Sequence, residues 1–362
     1  AGGAGTQRQL TLDSPASLTT QTATLRGARS PNEAWTSMLL QWGGHGENVD
    51  VDIYTAMTRI AMGDPNTPDP RTRQALDHWR SADYEVLRDG DHAVIWFGAK
   101  DGWNNAPFLF CNTSDGWKFD IVHQRRLIIM AEAPKWQVSQ GPYPYVQLLH
   151  QARQTTSKDL PLESRDLYRC ENDIAIAARM NELDAALASA PDAVDAIIES
   201  LRLNVITGQR PNRVQPLLKR AKRLARDAPE PYRYSAIYNA NTFFQYETAL
   251  KEILRYQAIL PDDAFGHRMQ GFFLYRLGRY KDSIDALERA AKLDPDDDYA
   301  YALMVRNYTL LARKASALKK KALRGQARAM WEKAKSVSSG DNLRLQWLRG
   351  WLVKYWGDEF EG

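Results

Sequence analysis

The sequence predicts an α+β N-terminal domain of helices and an antiparallel sheet, followed by an all-α helical-repeat solenoid. Through most of the second half, apolar residues recur at three- and four-residue steps, the spacing of one buried helix face. Four prolines there recur at intervals of 38, 32 and 34 residues, namely Pro191, Pro229, Pro261 and Pro295. Between residues 84 and 122 the apolar pattern alternates instead, which is typical of strands.

The composition fits more than one packed domain. The chain has 362 residues, 44% of them hydrophobic, with 11 Trp and a net charge of +4. This length gives room for two or three domains, and the mild positive charge does not require nucleic acid. No run of 18 apolar residues is present, so no membrane span is predicted. Cys111 and Cys170 exclude a disulfide framework and a cysteine-rich metal site, leaving one disulfide or two buried thiols open.

Residues 1–30 are predicted to form a flexible amino-terminal arm. They are small and polar with few apolar side chains, a composition typical of linkers. We expect the mature form of an exported, periplasmic protein whose signal segment or lipidated cysteine lies upstream of Ala1. A cytoplasmic protein is the alternative.

Residues 31–135 are predicted to form the α+β domain. Helices are expected over 33–42, 51–62 and 71–81, and strands over 84–87, 93–98, 107–111 and 117–122, which residues 126–130 can continue. The Asp–Gly pairs that end at Gly90 and Gly116 predict two hairpins of an antiparallel meander. Residues 136–161, rich in proline, are expected to link the domains, with a helix over 145–155.

This domain resembles the nuclear-transport-factor-like cone fold. The matching residues are Asp115, Gly116, Trp117, Phe119 and Asp120 in the closing strand, after a set of helices. Proteins of that fold are enzymes, small-molecule binders or interaction modules, so the resemblance implies a fold and does not choose a function.

Residues 162–340 are predicted to form helical repeats, of which residues 264–297 are the clearest. Small Gly271 lies where the first helix approaches another, and the second helix carries one apolar face. The unit resembles a tetratricopeptide repeat, although Ser283 stands where that pattern most often has Ala, and His267 replaces the early Trp. The matching residues are Gly271, Gly278, Tyr280, Leu287, Ala290 and Pro295. The resemblance implies an α-solenoid that holds other proteins.

Two features follow the central repeat. The next unit carries about ten extra residues between its helices, and these either lengthen the helices or form a basic loop. Residues 341–362 are expected to form a helix that caps the open end of the solenoid. A docking helix for a partner or a membrane surface is the alternative.

The sequence predicts no catalytic residue, metal site or cofactor. It contains no phosphate-binding glycine loop, no nucleophile elbow and no helical pair of histidines. His78, His92 and His123 share the first domain with Asp120, so a His–Asp acid–base pair is the enzymatic alternative. His92, beside a hairpin turn, is expected to be solvated. Basic stretches over 210–226 and 312–335 are interpreted as solvated helix faces, with nucleic acid or anionic lipid as the alternative.

The predicted binding surface is the concave groove that first helices line in tetratricopeptide arrays. About half of its residues are expected to be exposed. Arg and Tyr are typical of binding hot spots, and Arg268, Arg276 and Arg306 are expected to clamp a carboxylate or an acidic segment. The groove residues carried over from the resemblance are Tyr234, Tyr238, Asn241, Phe265, Arg268, Phe272, Tyr275, Arg276, Tyr299 and Arg306.

The sequence therefore predicts a non-catalytic scaffold or assembly factor. It would bind a protein or peptide in the groove, as part of a bacterial envelope-associated complex. The first alternative is a small-molecule-binding or enzymatic head with repeats used for docking. The second is nucleic-acid binding through the basic helices, which a steep salt dependence would reveal.

Overall fold

The fold class is the predicted one, an α+β unit followed by a row of helices. The computed structural model describes residues 8–10, 23–62, 70–98, 100, 102–130, 136–139, 144–146, 148–149, 155–156, 168–338 and 343–357. They form two compact units: the first takes in the described residues of Ala1–Ser157 and Tyr168–Glu182, and the second those of Leu183–Gly362. Tyr168–Glu182 thus belongs with the α+β unit, although the sequence places it in the repeats.

The first unit combines short helices with three small sheets. Its helices are α1 Pro31–Trp42, α2 Ala56–Met62, α3 Pro70–Ser81 and α4 Ile121–Leu127. Its strands are β1 Arg8–Leu10, β2 Ala23–Gly27, β3 Val51–Asp52, β4 Glu85–Asp89, β5 His92–Trp96, β6 Phe108–Thr113, β7 Gly116–Phe119, β8 Ile128–Met130, β9 Trp136–Ser139 and β10 Thr155–Thr156.

The antiparallel sheet β4-β5-β6-β7 contains both predicted hairpins. Gly116 turns the second hairpin at a φ of +112°, and a Cβ there would lie 2.6 Å from the carbonyl oxygen of Ala28. Only glycine tolerates both conditions. One face of the sheet packs on an aromatic cluster, in which the Phe108 ring lies 4.7 Å from Trp35 and 5.0 Å from Trp79. This cluster joins helices and sheet into one core.

Two predicted strands are wrong in part. The last strand ends at Phe119 because the Asp120 side chain caps α4 and accepts a hydrogen bond of 3.1 Å from the His123 amide. Ile121 continues the apolar alternation, but this cap turns the chain into a helix. Of residues 126–130, only Ile128–Met130 is extended, and it pairs with β9 instead of β7.

Three further segments differ from the sequence-based expectation. Val51–Asp52 is a strand and not the start of a helix, because its backbone pairs with β2. Within the predicted flexible arm, Ala23–Gly27 forms β2. The side chain of Arg26 in this strand forms an ion pair with Glu33 of α1. Of the predicted helix over 145–155, residues 145–146 and 148–149 are turns and residue 155 begins β10; the rest lies outside the described residues.

The second unit is a tetratricopeptide-like row of packed helix pairs. Helix α5 Asp173–Ser189 precedes it and contributes its residues from Leu183 onward. The pairs are α6 Val194–Ile206 with α7 Pro211–Leu224, α8 Glu230–Phe243 with α9 Tyr246–Ile259, α10 Ala264–Arg276 with α11 Tyr280–Leu293, and α12 Asp298–Arg313 with α13 Ala317–Val337; α14 Leu343–Trp356 then packs on α12.

The central pair confirms the close approach predicted at Gly271. A Cβ on Gly271 would lie 2.5 Å from Leu287 Cγ, so only glycine lets α10 and α11 pack this closely. The Ser283 hydroxyl donates a hydrogen bond of 2.6 Å to the Gly271 carbonyl and accepts one of 2.9 Å from the Asn307 side-chain amide. Ser283, which stands where the repeat pattern most often has Ala, therefore links α10, α11 and α12 through hydrogen bonds.

The extra residues after α12 lengthen a helix and do not form a loop. Helix α13 has 21 residues whereas α11 has 14, and Lys314–Ser316 alone separates α12 from α13. Helix α14 buries Leu345, Leu348 and Leu352 in the core of the second unit. Within the described ranges, no helix has the length and apolar character needed to cross a membrane.

Candidate functional site

The predicted groove residues are more buried than expected. Four of them, Asn241, Arg268, Tyr275 and Arg276, are half-buried, and none is fully exposed. The expectation that about half would be exposed is wrong, because each first helix is covered by its neighbours on both sides. The other six are buried, namely Tyr234, Tyr238, Phe265, Phe272, Tyr299 and Arg306.

Arginine side chains stack on aromatic rings along the first helices. Each guanidinium lies over a ring of the same or a neighbouring helix pair, a cation–π arrangement that stabilises helix packing. The guanidinium carbons lie 3.6 Å (Arg233) and 5.6 Å (Arg268) from the Phe265 ring, 4.8 Å (Arg276) from Tyr246, 5.1 Å (Arg306) from Tyr275 and 3.8 Å (Arg344) from Tyr299. We call this set the Arg–aromatic ladder.

One of the arginines predicted to bind a partner's carboxylate, Arg268, already binds a carboxylate of this chain. Arg268 Nη1 donates to Asp297 Oδ2 at 2.8 Å, and Asp297 also caps α12 by accepting from the amides of Tyr299 and Ala300. Arg306 is buried. Arg268 and Arg306 therefore stabilise the helix array in this arrangement, and their role in binding a partner stays a prediction.

Sequence reasoning missed Arg233 and Asp297. The role of Asp297 could have been predicted from the sequence, since acidic residues after Pro295 favour the start of a helix. The role of Arg233 could not have been predicted in this way, because its burial depends on Phe265 of another repeat. The Phe265 ring lies under the Arg233 guanidinium.

A basic cleft of about 640 Å³ opens beside α13. We call it the α13 cleft; it is lined by Ala317, Lys320, Lys321, Arg324, Gly325, Arg328 and Trp356. Lys320, Lys321 and Arg328 are exposed, and the Arg324 guanidinium lies 5.6 Å from the Trp356 ring. In the part of the chain that the structure describes, the side chains that line the cleft are cationic, small or aromatic, and no acid is among them. Such a lining attracts an anionic group that also presents apolar surface.

The basic stretch over 312–335 is solvated at Lys320, Lys321 and Arg328, as expected, and these residues also line the α13 cleft. The aromatic partners of this stretch come partly from the stretch itself, where Lys335 lies over Trp331, and partly from α12 and α14. Trp356 lines the cleft, and Tyr355 lies 4.9 Å from the guanidinium of Arg313. Residues some thirty positions away along the chain thus complete the site.

The stretch over 210–226 is a different kind of surface. Lys222 Nζ lies 2.7 Å from Glu252 Oε1 and 3.0 Å from Ser235 Oγ. Arg213 and Arg223 form ion pairs of 2.8 and 3.1 Å with Asp184 and Asp192. These three cations of α7 are therefore paired with acids of the same unit.

In the first unit the structure brings together one of the predicted acid–base pairs. His123 Nδ1 donates to Asp120 Oδ2 at 2.6 Å, and the Tyr145 hydroxyl donates to the same oxygen at 2.9 Å. Burial raises the pKa of Asp120, but His123 and Tyr145 outweigh it and hold this pKa below its usual value. Asp120 and His123 are 0% and 1% exposed, so this pair meets no substrate in the arrangement described.

The other two histidines lie elsewhere. His78 Nε2 hydrogen-bonds to Asn105 Oδ1 at 3.0 Å. His92 is half-buried and not solvated as expected: its Nε2 lies 3.9 Å from Cys170 Sγ, and its ring packs 5.0 Å from Tyr145. Burial lowers the pKa of His92 and raises that of the Cys111 thiol well above its usual value. Both cysteines are buried and free.

Neither a protein-family model nor a curated protein matches this chain. Solved structures similar to it include crystal structures of MamA. One is 20% identical, with a TM-score of 0.38 over 49% of this chain and 96% of that chain. The MamA 41-end protein from Desulfovibrio magneticus RS-1 is 16% identical, with a TM-score of 0.39 over 47% and 89%. Likenesses with TM-scores this low give this chain neither a family nor a function.

Proposed function

We propose that this protein is a non-catalytic scaffold whose helical-repeat unit binds an acidic segment of a partner protein in the α13 cleft. The observation that carries this proposal is the lining of the cleft, where Lys320, Lys321, Arg324 and Arg328 converge beside Trp356 and no acid is among the described lining residues. A helical-repeat row supports such a role because it presents long side chains on a rigid frame.

The chemistry of the α13 cleft favours a peptide segment. Exposed lysines attract carboxylates and raise the association rate, while Trp356, which is 9% exposed, contributes an apolar edge to the cleft that one side chain of the partner can contact. Single-stranded nucleic acid needs a series of rings for successive bases, whereas Trp356 is the one aromatic residue among the described residues of this lining. An acidic segment with one central aromatic or aliphatic residue is therefore the proposed ligand.

The predicted groove and the envelope location belong to the same proposal. Half-buried Arg276 and Asn241 offer the groove's accessible polar atoms, which suit a second, weaker contact with the partner. An exported, envelope-associated complex is supported by the small, polar composition of residues 1–30, and cell fractionation with an antibody to the protein tests it.

Fluorescence anisotropy with a labelled peptide tests the α13 cleft. The peptide consists of Asp and Glu around one Phe, and its comparison ligands are a Ser/Gly peptide with the same Phe and oligothymidylate. The test variant is Lys320→Glu with Lys321→Glu. The matched control is Lys219→Glu at an exposed position of α7 with Arg226→Glu at an exposed position just after it, which lowers the net charge equally.

We expect the α13 variant to weaken binding of the acidic peptide about tenfold or more and the α7 control less than about twofold, because charge pairs at an interface act locally. Equal weakening by both variants would show that only net charge matters and would contradict the proposal. Tighter binding of oligothymidylate than of the peptide would favour the nucleic-acid alternative.

A further inference from the structure

Two residues with metal-binding side chains face each other on the central sheet of the first unit. His92 of β5 and Cys111 of β6 are direct cross-strand partners. Side chains of paired residues project from the same face of a sheet. Cys111 is completely buried, so this face is closed to solvent at the cysteine.

Asp120 extends this cluster from the end of β7. Its amide donates a hydrogen bond of 2.9 Å to the Leu109 carbonyl, which continues the ladder beyond Phe119. Leu109 lies two residues from Cys111, and residues two apart share a face. The register therefore places the Asp120 carboxylate beside the Cys111 thiol.

Cys170 reaches the same place from a distant part of the chain. It begins the 3-10 turn Cys170–Asn172, which packs on β6. The ligand atoms of Cys111, Asp120 and Cys170 all lie within 4.8 Å of one another, and Cys170 Sγ lies 3.9 Å from His92 Nε2. Exposed Glu171 lies at the edge of this cluster. Its carboxylate and the ligand atoms of His92 and Cys170 lie within 4.8 Å of one another.

We infer that Cys111, Cys170, Asp120 and His92 bind one zinc ion. Two thiolates, a carboxylate and an imidazole are ligands that Zn²⁺ accepts in a tetrahedral site. With metal–ligand bonds of about 2.0–2.3 Å, such a site holds its ligand atoms about 3.3–3.8 Å apart. The ligand atoms of Cys111, Asp120 and Cys170 lie within 4.8 Å of one another and His92 Nε2 lies 3.9 Å from Cys170 Sγ, so reaching a common centre requires side-chain rotations, above all at His92.

The charges of the site come within one unit of balance without a further group. Binding replaces the protons of both thiols, which leave to solvent as two H⁺, and the ionised carboxylate and neutral imidazole each supply a lone pair. Zn²⁺ with two thiolates and one carboxylate has a net charge of −1, which the hydrogen bonds donated by Tyr145 and His123 to Asp120 offset in part.

The groups around Asp120 fit the role of an oriented ligand. Its carboxylate accepts hydrogen bonds from the His123 amide, His123 Nδ1 and the Tyr145 hydroxyl. A carboxylate has about four acceptor positions, so one remains for a metal. Donors that hold a ligating side chain in place are typical of protein metal sites.

The experiment is metal analysis and Co²⁺ substitution of the full-length chain. The chain is purified without chelator and its zinc measured by mass spectrometry, then stripped with a chelator and titrated with Co²⁺. We expect about one zinc per chain and the near-ultraviolet charge-transfer band of Co²⁺–thiolate bonds. Zn²⁺ should displace Co²⁺ and remove the band, and should raise the melting temperature of the stripped protein.

Variants identify the ligands. Cys170→Ser and His92→Gln should each lower zinc affinity by about 100-fold or more, and Tyr145→Phe by about 10- to 100-fold, because Tyr145 orients Asp120. His45→Gln, at an exposed histidine of the same unit, is the matched control and should bind as the wild type does. If Cys170→Ser fails to fold, the wild-type Co²⁺ spectrum alone decides.

Two results would overturn the inference. One is a folded wild-type protein whose Co²⁺ spectrum lacks the thiolate band. The other is thiol titration under denaturing conditions that finds Cys111 and Cys170 joined by a disulfide, with no zinc bound before or after reduction.

Discussion

Helices α7 and α13 are both strongly basic, yet their positive charges do different work. Cations of α7 meet acids elsewhere in the helical-repeat unit, such as Glu252 beside Lys222. On α13, an ion pair joins Lys335 to Glu332 within the helix itself, and the cations of the cleft surround Trp356. Similar sequence patterns thus give a structural surface in one place and the proposed binding surface in the other.

This difference teaches that a cation matters to the fold in proportion to the burial of its acid partner. Burial removes solvent screening, so a lost partner leaves an uncompensated charge. Exposed pairs contribute little. The four predictions below run from a buried pair to an exposed lysine.

The largest effect is expected at the pair of Lys118 and Asp52 in the first unit. The two charged groups lie 2.6 Å apart and are only 5% and 10% exposed. Lys118→Met should lower the free energy of unfolding at neutral pH by about 3–5 kcal/mol, because Asp52 stays buried with Arg59 as its remaining cation. Urea unfolding followed by circular dichroism measures this, with Lys321→Met as control. If Lys118→Met lowered the free energy of unfolding no more than Lys321→Met does, burial of the acid partner would not determine the effect.

The pH dependence of the same pair sharpens that test. Burial raises the pKa of Asp52, but Lys118 and Arg59 outweigh it and hold this pKa below its usual value. A carboxylate of lowered pKa stabilises the fold above its unfolded pKa of about 3.9, and this contribution is lost as pH falls through the folded pKa. The melting temperature of the wild type should decrease as the pH is lowered below about 4. Lys118→Met should show less of this loss, and an unchanged profile would contradict the assignment to Asp52.

An intermediate effect is expected at Lys222 of α7. Its side chain is 31% exposed and that of Glu252 is 19% exposed. Lys222→Met should lower the free energy of unfolding by about 1–2 kcal/mol, since Glu252 and Ser235 lose their shared donor. Urea midpoints report it, and Lys222→Arg should recover part of the loss. If Lys222→Met matched Lys118→Met, burial would not be the deciding variable.

The smallest effects on stability are expected at exposed positions. Arg223 and Asp192 are both 63% exposed, so Arg223→Met should change the free energy of unfolding by less than about 0.5 kcal/mol. Lys321→Met in the α13 cleft should change it equally little, yet should weaken binding of the acidic peptide by about threefold. Peptide anisotropy and urea unfolding of both variants distinguish them. A loss of peptide binding in Arg223→Met as well would remove the contrast between the two helices.

The sequence predicted those features that local chemistry decides. Gly271 and the turn after α10 follow from close packing and from the need for a left-handed residue at Gly278, whose φ is +76°. The hairpins follow from Asp–Gly pairs. Helix α4 was missed because Ile121 fits a strand pattern equally well, and only the capping bond of Asp120 decides between the two.

The candidate site was harder to predict because it depends on helix register and on distant residues. Whether Arg306 faces solvent or lies on Tyr275 depends on the angle between neighbouring helices, which apolar spacing does not give. The α13 cleft needs Trp356 from another helix. The cysteines of the proposed zinc site are 59 positions apart in sequence, and the sheet register alone brings Cys111 opposite His92.

The hydroxyl of Ser283 has a consequence for how the repeat array opens. It bonds at once to the backbone of α10 and to Asn307 of α12 while lying on α11. Opening any one of these helices therefore breaks a bond that holds another, so the three should exchange their amide hydrogens as one cooperative block. Fraying that begins at either end of the array should stop at this block, leaving a persistent core between more labile flanks.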